Sequence, residues 1–204
     1  MKNKKPTPEM FHGLDVVLFD MQDIGSRYYT YISTMTYVMQ AAVENQVKLI
    51  VLDRPNPIGR SVEGPLLKNG FQSFVGMHPI PIRHGLTIGE LAMMIEEMNW
   101  ISSHRDLDLK IIKISGWNGS RTDIQVPPSP NIPDLETAVI YSGLCLLEGT
   151  NLSEGRGTES PFKIVGAPWF NSSDVIDKIA SSGVRGANIS ETTFTPQSIP
   201  GKAA

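Results

Sequence analysis

The sequence has 204 residues, 40% of them hydrophobic, enough for one sizeable core or for one core plus the start of a second domain. With 18 basic against 21 acidic residues the net charge is -3, and the densest basic grouping is Lys2, Lys4 and Lys5, so neither nucleic acid nor a membrane surface is an expected partner. The one cysteine, Cys145, can form no intrachain disulfide and has no Cys or His companion at ligand spacing, so no metal site is expected; its neighbours Leu144, Leu146 and Leu147 suggest a buried thiol. No apolar run is long enough to span a bilayer, and the first ten residues lack the apolar stretch of an export signal.

In chain order, residues 15–20 form a short apolar run ending in Asp20, the pattern of a strand buried on both faces of a parallel sheet. Residues 31–45 place Ile32, Met35, Val38, Met39 and Ala42 at helical spacing. Residues 47–53 repeat the strand pattern and again end in an acid, Asp53, before the breakers Arg54-Pro-Asn-Pro57; the three segments make a βαβ unit. The stretch 54–85 is rich in Pro and Gly and too long for an ordinary connection, which points to function. Thr87-Ile-Gly-Glu90 has capping-box spacing and opens a helix through residue 100, and 109–114 reads as a third strand. A second breaker-rich loop, 116–133, leads to a helix at 134–147, a fourth strand at 163–167, a helix at 174–180 and a strand at 188–194. Alternating strands and helices predict an α/β fold with a mostly parallel, doubly wound sheet.

Ligands in open α/β sheets bind outside the carboxyl ends of the strands, where Asp20 and Asp53 lie. Beyond Asp20 come Gln22, Asp23, Arg27 and Tyr29, a polar group too dense to be hidden without pairing. Prolines flanking Arg54 and Asn56 stiffen the backbone and lower the ordering cost of binding a hydroxyl-rich or carboxylate-bearing ligand, with Glu63 close behind. Arg83 and His84 precede a helix N-terminus, a place that favours anions. The stretch Glu148-Gly-Thr-Asn-Leu-Ser-Glu-Gly-Arg-Gly-Thr158 is polar and glycine-laden, with Glu148, Glu154 and Arg156 as acid/base and electrostatic candidates and Asn151 among them. Tight turns, helix caps and internal Asp–Arg pairs account for several of these residues equally well. Dinucleotide, Walker A, nucleophile-elbow and HExxH motifs are absent, leaving carboxylates with Arg, Asn and Tyr, the residue types of sugar chemistry. Glycoside hydrolysis uses one protonated acid at the leaving oxygen and a second carboxylate as base or nucleophile.

Phe19-Asp-Met-Gln-Asp-Ile-Gly25, Arg27-Tyr-Tyr-Thr-Tyr-Ile-Ser-Thr-Met35, Asp53-Arg-Pro-Asn-Pro57, Val62-Glu-Gly-Pro65, Ser73-Phe-Val-Gly76, Arg83-His-Gly85, Pro128-Ser-Pro-Asn131 and the 148–158 stretch occur in this order across nearly the whole chain. Together they resemble the exo-β-N-acetylmuramidase family. The resemblance implies a Rossmann-like catalytic domain over residues 1–168, the start of a smaller C-terminal domain at 169–204, an active site in the cleft between them, and release of terminal N-acetylmuramic acid from non-reducing ends of peptidoglycan fragments. No metal or organic cofactor is implied, the substrate is a muropeptide or amino-sugar glycan, and the location is periplasmic or secreted. On this resemblance Glu154 or Glu148 donates the proton, Asp20 or Asp23 assists, and Gln22, Tyr29, Asn56, Glu63, His84, Asn131 and Asn151 contact substrate. The lactyl carboxylate of muramic acid suits an arginine, and Arg27, Arg54, Arg83 and Arg156 are all open to that role.

The chain also departs from the family pattern. Relatives resemble chains about twice as long, with an upstream Glu-His-Gly motif and continuation beyond Phe194-Thr-Pro196, so an internal piece of a longer protein is expected. Between Trp117 and Pro127 an aromatic and acidic insert is missing. The alternatives to an enzyme are a muropeptide-binding module without turnover and an inactive fragment; a nucleotide- or phosphate-binding protein is disfavoured by the missing glycine fingerprint.

Overall fold

The computed structural model describes residues 4–101, 103 and 106–197. Its element order is α1 (Pro8–Phe11), β1 (Val16–Phe19), α2 (Tyr31–Asn45), β2 (Lys48–Leu52), α3 (Ile88–Glu97), β3 (Leu109–Ile112), α4 (Leu135–Leu144), a 3-10 turn (Cys145–Gly149) and α5 (Ser172–Ser181). The fold is α/β. Three strands form a parallel sheet in the order β1-β2-β3, with Phe19 beside Val51 and Val51 beside Ile111. Consecutive parallel strands joined by right-handed crossovers carry their helices on one face. Accordingly Leu49 and Val51 share one core with Met35 and Met39 of α2 and Leu91 and Ile95 of α3.

The alternate strand residues point the other way. Leu18 is 59% exposed, Val16 39% and Ile112 44%. The run at β1 is therefore covered on one face among the described residues, rather than the two its unbroken hydrophobicity suggested: β1 is an edge strand, and both crossover helices lie on its other side.

Local chemistry explains the element ends. α2 closes at Gln46, which takes the left-handed conformation at φ 57°. α3 opens with a full capping box, Thr87 accepting from the Glu90 amide while the Glu90 side chain accepts from the Thr87 amide. Asp53, at the end of β2, adds a second clasp by accepting from Thr87 Oγ1 at 2.9 Å and from the Gly89 amide at 2.8 Å. A Cβ on Gly89 would meet that carboxylate at 2.8 Å, so only glycine lets the helix start approach so closely.

The chain divides into two compact units, 1–128 and 129–204. Residues 163–167, which read as a fourth strand, form none; Gly166 makes only an isolated antiparallel bridge with Ser153. Residues 188–194 likewise form no strand. In the second unit, Tyr141 packs edge-on against Phe162 at 4.8 Å, and Asp134 caps α4 through the Thr137 amide. Cys145 starts the 3-10 turn and is half-buried rather than buried, because the turn leaves Leu146 60% exposed. Burial still pushes its thiol up to about 12, which makes it a poor nucleophile. Among the described residues no helix is long and apolar enough to cross a membrane.

Candidate active site

Parallel pairing of β1 and β2 brings the residues after both strands to one rim. Asp20 there accepts from Arg54 Nε at 2.7 Å, and Arg54 Nη2 lies 2.6 Å from the same oxygen. The side chains remain 47% and 42% exposed, so this pair faces solvent. Gln22 Nε2 donates to the Pro55 carbonyl at 2.8 Å, tying the segment after β1 to the proline-stiffened turn after β2. A cleft of about 600 Å³ opens over this rim, lined by Asp20, Gln22, Arg54, Tyr31 and the loop 122–128, which contributes Asp123. Tyr31, the first residue of α2, donates from its hydroxyl to the Pro128 carbonyl at 2.7 Å and fixes the far end of that loop.

Other candidates lie beneath the rim rather than on it. Asp23 accepts from the Gly25 amide at 2.8 Å, and the same oxygen lies 3.2 Å from His84 Nε2. His84 Nδ1 accepts from the Leu86 amide, so the proton of the neutral ring belongs on Nε2, facing Asp23. Both residues are 3% exposed. Asn56, also buried, donates to the Leu86 carbonyl and accepts from the Ile58 amide. Arg83 donates to Glu63 at 2.5 Å and to the Ile58 carbonyl at 3.0 Å. Arg27 donates to the Pro65 and Ile80 carbonyls, and burial lowers its pKa. These groups hold together the long irregular segment 54–86, whose carbonyls and amides have few strand or helix partners. Tyr29 is buried with its ring 4.7 Å from that of Tyr31.

The second unit gathers its own charged group. Arg156 grips Glu148 with two donors at 2.6 and 3.1 Å and lies over the Phe162 ring at 5.0 Å. Glu154 meets Arg156 Nε only at 3.5 Å. Gly155 and Gly157, with φ of 83° and 79°, supply left-handed turns that bring these side chains together. Asn151 is exposed on the same loop, and Asn131 sits half-buried in the tight turn joining Ser129 to Ile132.

Thus the structure joins Asp20, Gln22 and Arg54 in one cleft and Glu148, Glu154 and Arg156 in a separate cluster, each within its own unit. Tyr31 and Asp123 join the cleft although the sequence marks Tyr31 only as a helix start; for Asp123 the available signal is that it is the sole acid in the 116–133 loop. Among the described residues no three His, Cys, Asp or Glu side chains could hold a metal ion.

Residues 1–136 match the family model described as exo-beta-N-acetylmuramidase NamZ, N-terminal, and residues 139–203 its C-terminal counterpart. The chain belongs to the exo-β-N-acetylmuramidase family. It is 45% identical over 201 residues to the peptidoglycan beta-N-acetylmuramidase NamZ of Bacillus subtilis, covering 96% of this chain and 48% of that protein. Two crystal structures of DUF1343 family proteins from Bacteroides fragilis have the same fold. One has a TM-score of 0.81 at 39% identity over 91% of this chain and 50% of its own; the other has 0.80 at 38% over 96% and 51%. The chain therefore spans about half the length of each of these relatives.

Proposed function

We propose that the chain carries glycosidase machinery that releases terminal N-acetylmuramic acid from the non-reducing ends of peptidoglycan fragments, acting at the cell wall. The observation that carries this reading is the solvent-facing Asp20–Arg54 pair in a cleft at the carboxyl ends of β1 and β2, in a chain of the exo-β-N-acetylmuramidase family. A cleft of this size accommodates a sugar ring with its acetamido and lactyl substituents. Asp20 is the carboxylate best placed in the first unit to support an oxocarbenium-like transition state, by charge or as a base. Gln22 and Tyr31 supply polar contacts for ring hydroxyls.

In the second unit Glu154 is better suited than Glu148 to donate a proton. Glu148 is gripped at two points by Arg156, whereas Glu154 touches it only at 3.5 Å. Asp23 and His84, buried against each other, act as framework to the rim.

Hydrolysis of a chromogenic N-acetylmuramic acid β-glycoside by this chain, beside Asp20→Asn and Glu154→Gln, tests the reading. Turnover should fall at least about 100-fold in either variant, the usual weight of a positioned acid or base. Binding of the glycoside without turnover by the native chain would mark a muropeptide-binding module and sink catalysis by this chain.

A further inference from the structure

Four arginines could read the lactyl carboxylate that distinguishes muramic acid from glucosamine, and their surroundings separate them. Arg27 does not line the cleft, and its Nη1 donates to two backbone carbonyls, Pro65 and Ile80, in the 54–86 segment. Arg83 is buried, with one terminal nitrogen on Glu63 and the other on the Ile58 carbonyl. Arg156 is committed to Glu148 at two points and stacked over Phe162. Arg54 alone of the four lines the cleft, and it is engaged along one edge only: both its contacts, from Nε and Nη2, run to a single oxygen of Asp20.

We infer that Arg54 is the residue that selects muramic acid, donating from its outer Nη1/Nη2 edge to the lactyl carboxylate while Asp20 holds the inner edge; this rests on the function proposed above. A guanidinium offers two such edges, each matching a carboxylate with paired donors. Clamping one edge fixes the plane of the group, so the other is presented without the usual ordering cost. Its stem is fixed as well. Pro55 and Pro57 restrict the backbone on its carboxyl side, the Arg54 amide donates to Asp53 at 3.1 Å, and Gln22 pins the Pro55 carbonyl. Lysine could not substitute fully, since a single ammonium cannot serve Asp20 and a planar carboxylate in the same geometry.

The pair is about half exposed, so the selectivity it confers is modest, about tenfold in Kd, at the lower end for charge-assisted hydrogen bonds. Calorimetric or NMR titration of this chain with the methyl β-glycosides of N-acetylmuramic acid and N-acetylglucosamine tests it. The native chain should bind the muramic acid glycoside about tenfold more tightly, Arg54→Gln should bind both equally, and Arg54→Lys should keep only a few-fold preference. Full preference retained in Arg54→Gln would overturn this inference and leave the functional reading standing. No binding or no preference in the native chain would overturn the functional reading itself. If Arg54→Gln does not fold, Arg54→Lys decides: an undiminished preference there overturns the role of the guanidinium.

Discussion

Asp20 and Asp23 lie three residues apart on the segment after β1, and their surroundings differ completely. Asp20 shares its charge with a half-exposed arginine at the mouth of a cleft; Asp23 is sealed against His84 and a glycine amide. The difference is one of what each would leave behind. Solvent can replace either partner of the rim pair, so little stability depends on it, and its geometry is available to a ligand. Solvent cannot take the place of Asp23, which is buried and accepts from the Gly25 amide within the 20–27 segment.

The sharpest way to break that comparison is Asp23→Ala. The Gly25 amide would then be buried without its acceptor and His84 would lose the carboxylate 3.2 Å from its Nε2, and the loss should be about 3 kcal/mol, the range for removing one partner of a buried polar pair. Urea unfolding of the two chains measures it. A loss below about 0.5 kcal/mol would mean that Asp23 behaves like a surface acid and that the division between rim and framework is wrong.

A second buried histidine sharpens the contrast by pH. His78 stacks on Trp100 at 4.8 Å and shares a 2.8 Å hydrogen bond with Thr36 Oγ1, and desolvation lowers its pKa from 6.5 to about 4. The unfolded chain therefore takes up a proton near 6.5 that the native chain refuses until about 4. Between those values the unfolded state binds more protons, so this contribution is fully present above 6.5 and is lost as the pH falls toward 4, at most about 3 kcal/mol. Unfolding free energies at pH 7 and 4.5 for the native chain and His78→Phe isolate it: the native chain should lose more than the variant. Equal losses would assign the acid sensitivity to carboxylates instead.

The sequence exposed the frame of this molecule better than its site. Strand runs ending in Asp20 and Asp53, the helical spacing of Met35 and Met39, and the capping box at Thr87 are local signals, and the structure contains each element they indicate. Order in the 54–86 segment was not legible in the same way. Arg27, Asn56, Arg83 and His84 have the residue types of a binding site, and each also bonds to backbone groups of an irregular chain, a pairing that depends on where distant carbonyls and amides fall. Residues 163–167 show the same limit, since a short apolar run does not reveal which partner it will pair with, and here it meets Ser153. Conversely, Tyr31 and Asp123 reach the cleft because a loop folds back to the start of α2, a closure visible only in three dimensions.

The smallest effect on stability should come from the rim, and it separates the two kinds of acid most directly. Asp20→Asn removes one charge from an exposed pair but leaves an amide oxygen that can still accept from Arg54 Nε, so unfolding free energy should move by no more than about 0.5 kcal/mol. High salt should weaken the native pair and leave the variant nearly unaffected, because exposed charges are screened within about 10 Å at 0.1 M ionic strength. Thermal melts of both chains at low and high salt read this out. A destabilisation comparable to that of Asp23→Ala would show that Asp20 braces the sheet end and is not a carboxylate at liberty to do chemistry beside Arg54.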